Sequence, residues 1–211
     1  MYHGLARRHL MRSRFLMRPL LNGGTLAGLN LPPTTQSLLM EYFLPGEIDS
    51  GRAQVDQFAR SWYSKHLLAM NEPSLLSVPD TTSETYRFLW LRAFHHPIAV
   101  RLELIGDTPS LHRVELDGAG GYEPGSVLLS DDVPLELATW SGFVAKLDES
   151  AFWELPSSES TAGIDGAQWI FEGRQGDRRK FLHRWSPRSG LLRDLGLHFL
   201  ALAGLPSDDV Y

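Results

Sequence analysis

Two runs of alternating side chains joined by a short connection constrain this chain more than any other feature. Tyr86, Phe88 and Trp90 alternate with Arg87, Leu89 and Leu91; after His95-His96-Pro97, the residues Ile98, Val100, Leu102 and Leu104 alternate with Ala99, Arg101 and Glu103. A period of two is that of a strand. The connection between the runs is too short to carry a crossover, so the strands must pair antiparallel.

The rest of the chain extends this hairpin. Gly106-Asp107-Thr108-Pro109 is a turn, Leu111–Leu116 a third strand, and Gly118–Gly125 a glycine-rich loop leading to a fourth strand at Ser126–Ser130. A phosphate-cradling loop opens into a helix, whereas a strand follows here, so the loop reads as a wide hairpin. Upstream, Val55, Phe58, Ala59, Trp62, His66 and Met70 recur at helical steps, with Asp49 or Ser50 placed to cap and Pro73 closing the segment. A second helix is expected to begin at Asp131, Asp132 and Pro134, with Leu137, Trp140, Phe143, Val144 and Leu147 as its buried stripe. Gln168–Glu172 and Arg178–Trp185 form a hairpin around residues 173–177, and Leu191–Leu205 a final apolar helix. The order helix, four strands, helix, two strands, helix indicates an α+β fold. Its antiparallel sheet of about six strands is expected to carry the three helices on one face.

Charge divides the chain unequally. Residues 1–40 hold five arginines (Arg7, Arg8, Arg12, Arg14, Arg18) and no acid, which leaves residues 41–211 at −10 against a total of −5. An acidic body argues against a nucleic-acid-binding surface, since phosphate contacts need a clustered positive field. Arg18 and Pro19 interrupt the apolar run from Phe15 to Leu21, so neither a secretory core nor a membrane span is expected there. The arm reads as a basic flexible extension over residues 1–40, or as an organelle transit peptide, with Met11, Met17 or Met40 as alternative starts. Residues 41–211 read as a single α+β domain, placed in the cytoplasm. With no cysteine, disulfides, thiolate catalysis and Cys-ligated metals are excluded.

The last third concentrates aromatics, turn residues and carboxylates in Phe152-Trp153-Glu154-Leu155-Pro156, Asp165-Gly166, Trp169, Glu172-Gly173 and Arg184-Trp185-Ser186-Pro187. Together with Tyr86–Arg92 and Gly120–Gly125, these motifs resemble a family of uncharacterised bacterial hypothetical proteins, over about residues 55 to 205. The resemblance implies a bacterial origin, which disfavours the transit peptide. It brings no established activity and no catalytic residue.

Candidate sites follow from side-chain chemistry. His95 and His96 could act as metal ligands or bases, with His112, His183 or Glu103 as further donors, but neighbours on an extended chain point to opposite faces. Asp165, Glu172 and Glu154 among Trp153, Trp169 and Trp185 could form a carboxylate pair beside an aromatic platform; ordinary turn chemistry explains Asp165-Gly166, and Glu172 is placed to pair with Arg174 or Arg178. Ser186, His183 and Asp165 lack the elbow and oxyanion motifs of a nucleophilic triad. Arg178-Arg179-Lys180 reads as a solvated hairpin tip. The function expected is therefore a non-catalytic binding or protein-interaction module without metal or cofactor, which uses Trp153, Trp169, Trp185, Arg178 and Arg179 as its contact face. The alternative is a hydrolase built on His96, His183, Asp165 and Glu172.

Overall fold

The computed structural model describes residues 41–76, 84–159, 163 and 165–205, so the basic segment 1–40 and its expected flexibility lie outside the described residues. Six strands form one sheet: β1 (Glu84–Arg92), β2 (Ile98–Ile105), β3 (Thr108–Leu116), β4 (Val127–Pro134), β5 (Ala167–Gln175) and β6 (Arg178–Trp185). Their order is β4-β3-β2-β1-β5-β6, antiparallel at every step. Among the described residues three helices, α1 (Ala53–Ala69), α2 (Leu137–Glu149) and α3 (Leu191–Leu202), accompany the sheet in an α+β fold.

The helices divide between the two faces of the sheet instead of sharing one. Tyr86, Phe88 and Trp90 of β1 join Val100, Trp169, Phe171 and Leu182 in a core closed by Phe143 of α2 and Leu195 and Phe199 of α3. Leu89 and Leu91 point the other way, where Ala99, Val114, Ile170 and Phe181 meet Tyr63, Leu67 and Met70 of the α1 segment together with Tyr42, Phe43 and Ile48. Seven consecutive residues of β1 are buried. A central strand covered on both faces needs apolar side chains at both parities, which Tyr86–Leu91 supplies everywhere except at Arg87.

Three local expectations change. In α1 the buried residues are Ala59, Tyr63, Ser64, His66 and Leu67, whereas Val55 and Phe58 are 41% and 67% exposed. Apolar residues occupy more than one face of this helix, so periodicity alone does not choose the buried one. Arg52 stands at its N-cap with no side-chain cap bond, and Asp49 accepts the Gly51 N–H (3.0 Å). β4 continues to Pro134, so Asp131 and Asp132 lie on a strand and α2 begins at Leu137. Each aspartate faces a cross-strand partner in register: Arg113 Nη2 meets Asp131 Oδ2 at 2.9 Å, and His112 Nδ1 meets Asp132 Oδ1 at 2.7 Å. Pro134 is tolerated because β4 is an edge strand and its missing N–H removes no ladder bond.

The glycine-rich loop is a hairpin, as its sequence indicates. Its N–H groups are consumed internally or by the β1–β2 connection: Gly118 to Pro124, Ala119 to Glu123, Gly120 to His95 and Gly121 to Ala93. A Cβ at Gly120 would stand 2.6–2.7 Å from backbone atoms of Leu91 and Arg92, so this approach requires glycine.

Phe88 and Phe171 are direct cross-strand partners whose rings stack with centroids 4.6 Å apart. Phe88→Ala should cost about 3–5 kcal/mol in urea unfolding, the loss typical of a fully buried aromatic. A cost below about 1 kcal/mol would contradict this packing.

Candidate functional site

On the α1 face, polar groups fall into two sets with different chemistry. The first centres on Arg87, which is fully buried. Its Nε donates to Glu172 Oε2 at 2.9 Å and its Nη2 to the same oxygen; its Nη1 donates to Glu72 Oε2 (3.2 Å) and to the Pro73 carbonyl (2.6 Å). Arg101 Nε adds a bond to Glu72 Oε2 (2.9 Å), and Arg179 bridges Glu172 Oε1 (3.3 Å) and Glu47. Burial draws the Arg87 pKa down, but Glu172 and then Glu72 more than offset it, so it stands raised; burial pushes the Glu172 carboxyl up against the opposing pull of Arg87. Because two guanidinium N–H groups converge on one carboxylate oxygen, the ionised pair is the state that satisfies every bond.

Glu172 is therefore a buried structural anion paired with Arg87 and Arg179, not a hairpin-end residue paired with Arg174 or Arg178. Arg179 likewise leaves the expected solvated tip, with its side chain 13% exposed. Arg178 does remain at the surface, stacked 4.3 Å over the ring of Trp153.

The four proposed catalytic groups do not converge. His96 Nδ1 meets Glu115 Oε1 at 2.7 Å, and Glu115 is in register with Ile98, which belongs to the α2–α3 core. His183 is in register with Ile170 on the opposite face. Asp165 is exposed, with φ +43°, and the Ser186 hydroxyl accepts the Ala167 N–H at 2.8 Å, so no triad forms around His183. His112 is taken up by Asp132 and lies 3.8 Å from Glu72. Among the described residues no group of three or more histidines and carboxylates could hold a metal ion, His95, His96, His112 and His183 included.

His183 belongs to the second set, at the floor of a cavity of about 500 Å³ beside the N-terminal half of α1. Val55, Phe58, Trp62 and Tyr63 of α1 form one wall, Ile48–Ser50 and Arg52 a second, and Ser158, Glu159, Gly163 and Trp185 a third, with Gln168 beside His183 below. His183 Nε2 is shared by the Tyr63 hydroxyl (3.0 Å) and Gln168 Oε1. Burial, and then the neighbouring Arg184 charge, lower its pKa to about 4, so the imidazole is neutral near pH 7. Burial raises the Tyr63 hydroxyl, so it too is neutral. The floor thus offers uncharged donors and acceptors already ordered by one another.

The outer wall is held by the chain around β6. The His183 N–H donates to the Ser157 carbonyl at 2.7 Å and Ser158 forms a bridge to His183, so this segment lies along the edge of β6. The Ser158 hydroxyl ties it to the Asp49 carbonyl (3.1 Å). A Cβ at Gly163 or Gly166 would come within 2.0 Å or 2.5 Å of the Trp185 indole, so both glycines provide the space that ring fills.

Of the expected contact residues, only Trp185 lines this cavity. Trp169 is fully buried and offers no surface, and Trp153 packs against the α2–α3 core beneath Arg178. Sequence reasoning did not single out Tyr63 and Gln168, and it placed Phe58 in the core; a polar residue between two apolar ones at Gln168 was the available signal. No protein-family model matches this chain, and no curated protein matches it.

Glu172→Gln should lower stability by about 3–5 kcal/mol because it leaves Arg87 incompletely compensated, while Asp165→Asn should stay within about 0.5 kcal/mol. Chemical denaturation of both variants checks this, and equal effects would refute the separate roles. For His183, the folded pKa of about 4 lies below its ordinary 6.5. Its contribution is complete above pH 6.5 and is lost as pH falls toward 4, because the unfolded chain takes up the proton first. The stability difference between the parent and His183→Gln should therefore shift by on the order of 3 kcal/mol between pH 7 and pH 4. A difference independent of pH would show that the imidazole is not held neutral.

Proposed function

We propose that this protein is a non-catalytic binding module whose ligand is a small molecule held in the cavity between α1 and β6. The observation that carries this is the cavity itself. At about 500 Å³, it falls within the ~300–1,000 Å³ range of small-molecule sites, has mostly apolar walls, and converges on the ordered polar group of Tyr63, His183 and Gln168. The hairpin that was expected to offer a protein-contact face spends Trp169 and Arg179 on the fold, which favours a ligand cavity over a protein surface. A bacterial origin, which rests on the sequence resemblance, and a cytoplasmic setting are part of the proposal.

The hydrolase reading keeps one observation in its favour, an imidazole at the bottom of a cavity. Against it stand the His183 bonds to Tyr63 and Gln168 and a lowered pKa that makes the imidazole a weak base at neutral pH.

Indole N–H resonances of the ¹⁵N-labelled protein separate these readings during titration with soluble aromatic and aliphatic fragments. Fragments that bind should move the Trp62 and Trp185 signals and leave those of Trp90 and Trp169 in place. Binding that spares Trp62 and Trp185 would overturn the cavity assignment. Hydrolysis of p-nitrophenyl esters that falls about 100-fold in His183→Ala would replace it with the hydrolase.

A further inference from the structure

The tryptophans of this protein differ in what covers their rings. Arg92 lies 4.0 Å over Trp90, Arg178 4.3 Å over Trp153 and Arg193 5.8 Å from the centre of Trp169. Trp140 is buried under the sheet. The remaining two, Trp62 and Trp185, are the ones that line the cavity, and among the described residues no arginine or lysine stands over either ring. Phe58, 67% exposed and 6.0 Å from Trp62 between ring centres, adds a third aromatic face to the same wall.

Charge around the cavity points the same way. Among the described residues two carboxylates line it, Asp49 and Glu159, and one cation, Arg52. Glu159 is bonded to Arg184 Nε at 3.0 Å yet keeps 57% of its side chain exposed, and Arg52 is itself exposed to solvent. The polar floor carries no positive charge near neutral pH. The chain is at −5 overall, with −10 over residues 41–211, a balance that favours cations over anions at the surface.

We infer that the ligand of this cavity carries an organic cation, a methylated or otherwise substituted ammonium, which seats against the faces of Trp62, Trp185 and Phe58 within reach of Asp49 and Glu159. The attraction is that of a positive charge for the negative face of an aromatic ring, strongest for tryptophan and greater when the cation is shielded from water. The substituents of such an ammonium are apolar and suit the Ile48, Val55 and Ala59 surface, whereas a bare ammonium ion would lose too much hydration. This inference rests on the cavity being the binding site proposed above.

Choline and its uncharged carbon analogue 3,3-dimethylbutan-1-ol have nearly the same shape, so comparing them isolates the charge. Titrated into the full chain and followed by tryptophan fluorescence and by the Trp62 and Trp185 indole resonances, choline should bind about tenfold more tightly than the alcohol. Phe58→Leu, at an exposed position outside the core, should weaken choline several-fold more than it weakens the alcohol; Trp185→Leu should remove most of the preference. Equal binding of the two compounds, or tighter binding of the alcohol, would overturn the cation assignment while leaving the cavity as a binding site. Failure of choline to perturb either indole would overturn it as well, and if the fragments also spare both indoles the cavity assignment falls with it.

Discussion

The structure depends on how one strand is buried. β1 lies in the middle of the sheet with seven consecutive residues removed from water, and one of them, Arg87, is a cation. A guanidinium in that position is sustainable only if every donor finds an acceptor and its charge is matched, because desolvating an unpaired ion costs several kcal/mol. Glu172 from β5, Glu72 from the segment after α1 and the Pro73 carbonyl meet that requirement. The same network therefore fixes β5 beside β1 and anchors the chain that follows α1. Tyr42 adds to it, with its hydroxyl on the Glu72 carbonyl (2.8 Å) and its ring 5.7 Å from the Arg87 guanidinium. The geometry of α1, and so of the cavity wall, is inherited from a charge buried some distance away.

Much of this fold was legible in the sequence because the signals were local. Alternation at Tyr86–Leu91 and Ile98–Leu104, turn residues at Gly106-Asp107 and a loop too short for crossover fix the meander with no tertiary information. What escaped was set by contacts at long range. Asp131 and Asp132 look like the first turn of a helix, yet Arg113 and His112 across the sheet hold them in β4. Glu172 looks like a hairpin-end carboxylate until Arg87, 85 positions earlier, is seen beside it. The apolar residues at both parities of β1 did signal a strand covered on two sides, but an alternation argument weighs one face against the other and passes over that information.

The cavity was less legible than the fold for a related reason. Its walls come from α1, residues between Ile48 and Arg52, the residues Ser158, Glu159 and Gly163, and the β5–β6 hairpin, which are more than 100 positions apart at the extremes. Trp185 was recognisable as a binding candidate from its surroundings in sequence, and His183 as a titratable group. Their joint placement with Tyr63 and Gln168 required the sheet register, since Gln168 faces Trp185 across β5 and β6 and His183 sits one step further along the same face.

The stretch from Ser157 to Glu159 serves two surfaces at once. β6 ends the sheet, and an uncovered terminal strand presents free N–H and C=O groups on which another chain can add. Ser157 caps one of those groups by accepting the His183 N–H, and the same stretch forms the outer wall of the cavity. Prying it away would unmask the sheet edge and unroof the cavity in a single movement. A molecule that pins this wall in place acts, by the same contact, as a guard against edge-to-edge self-association.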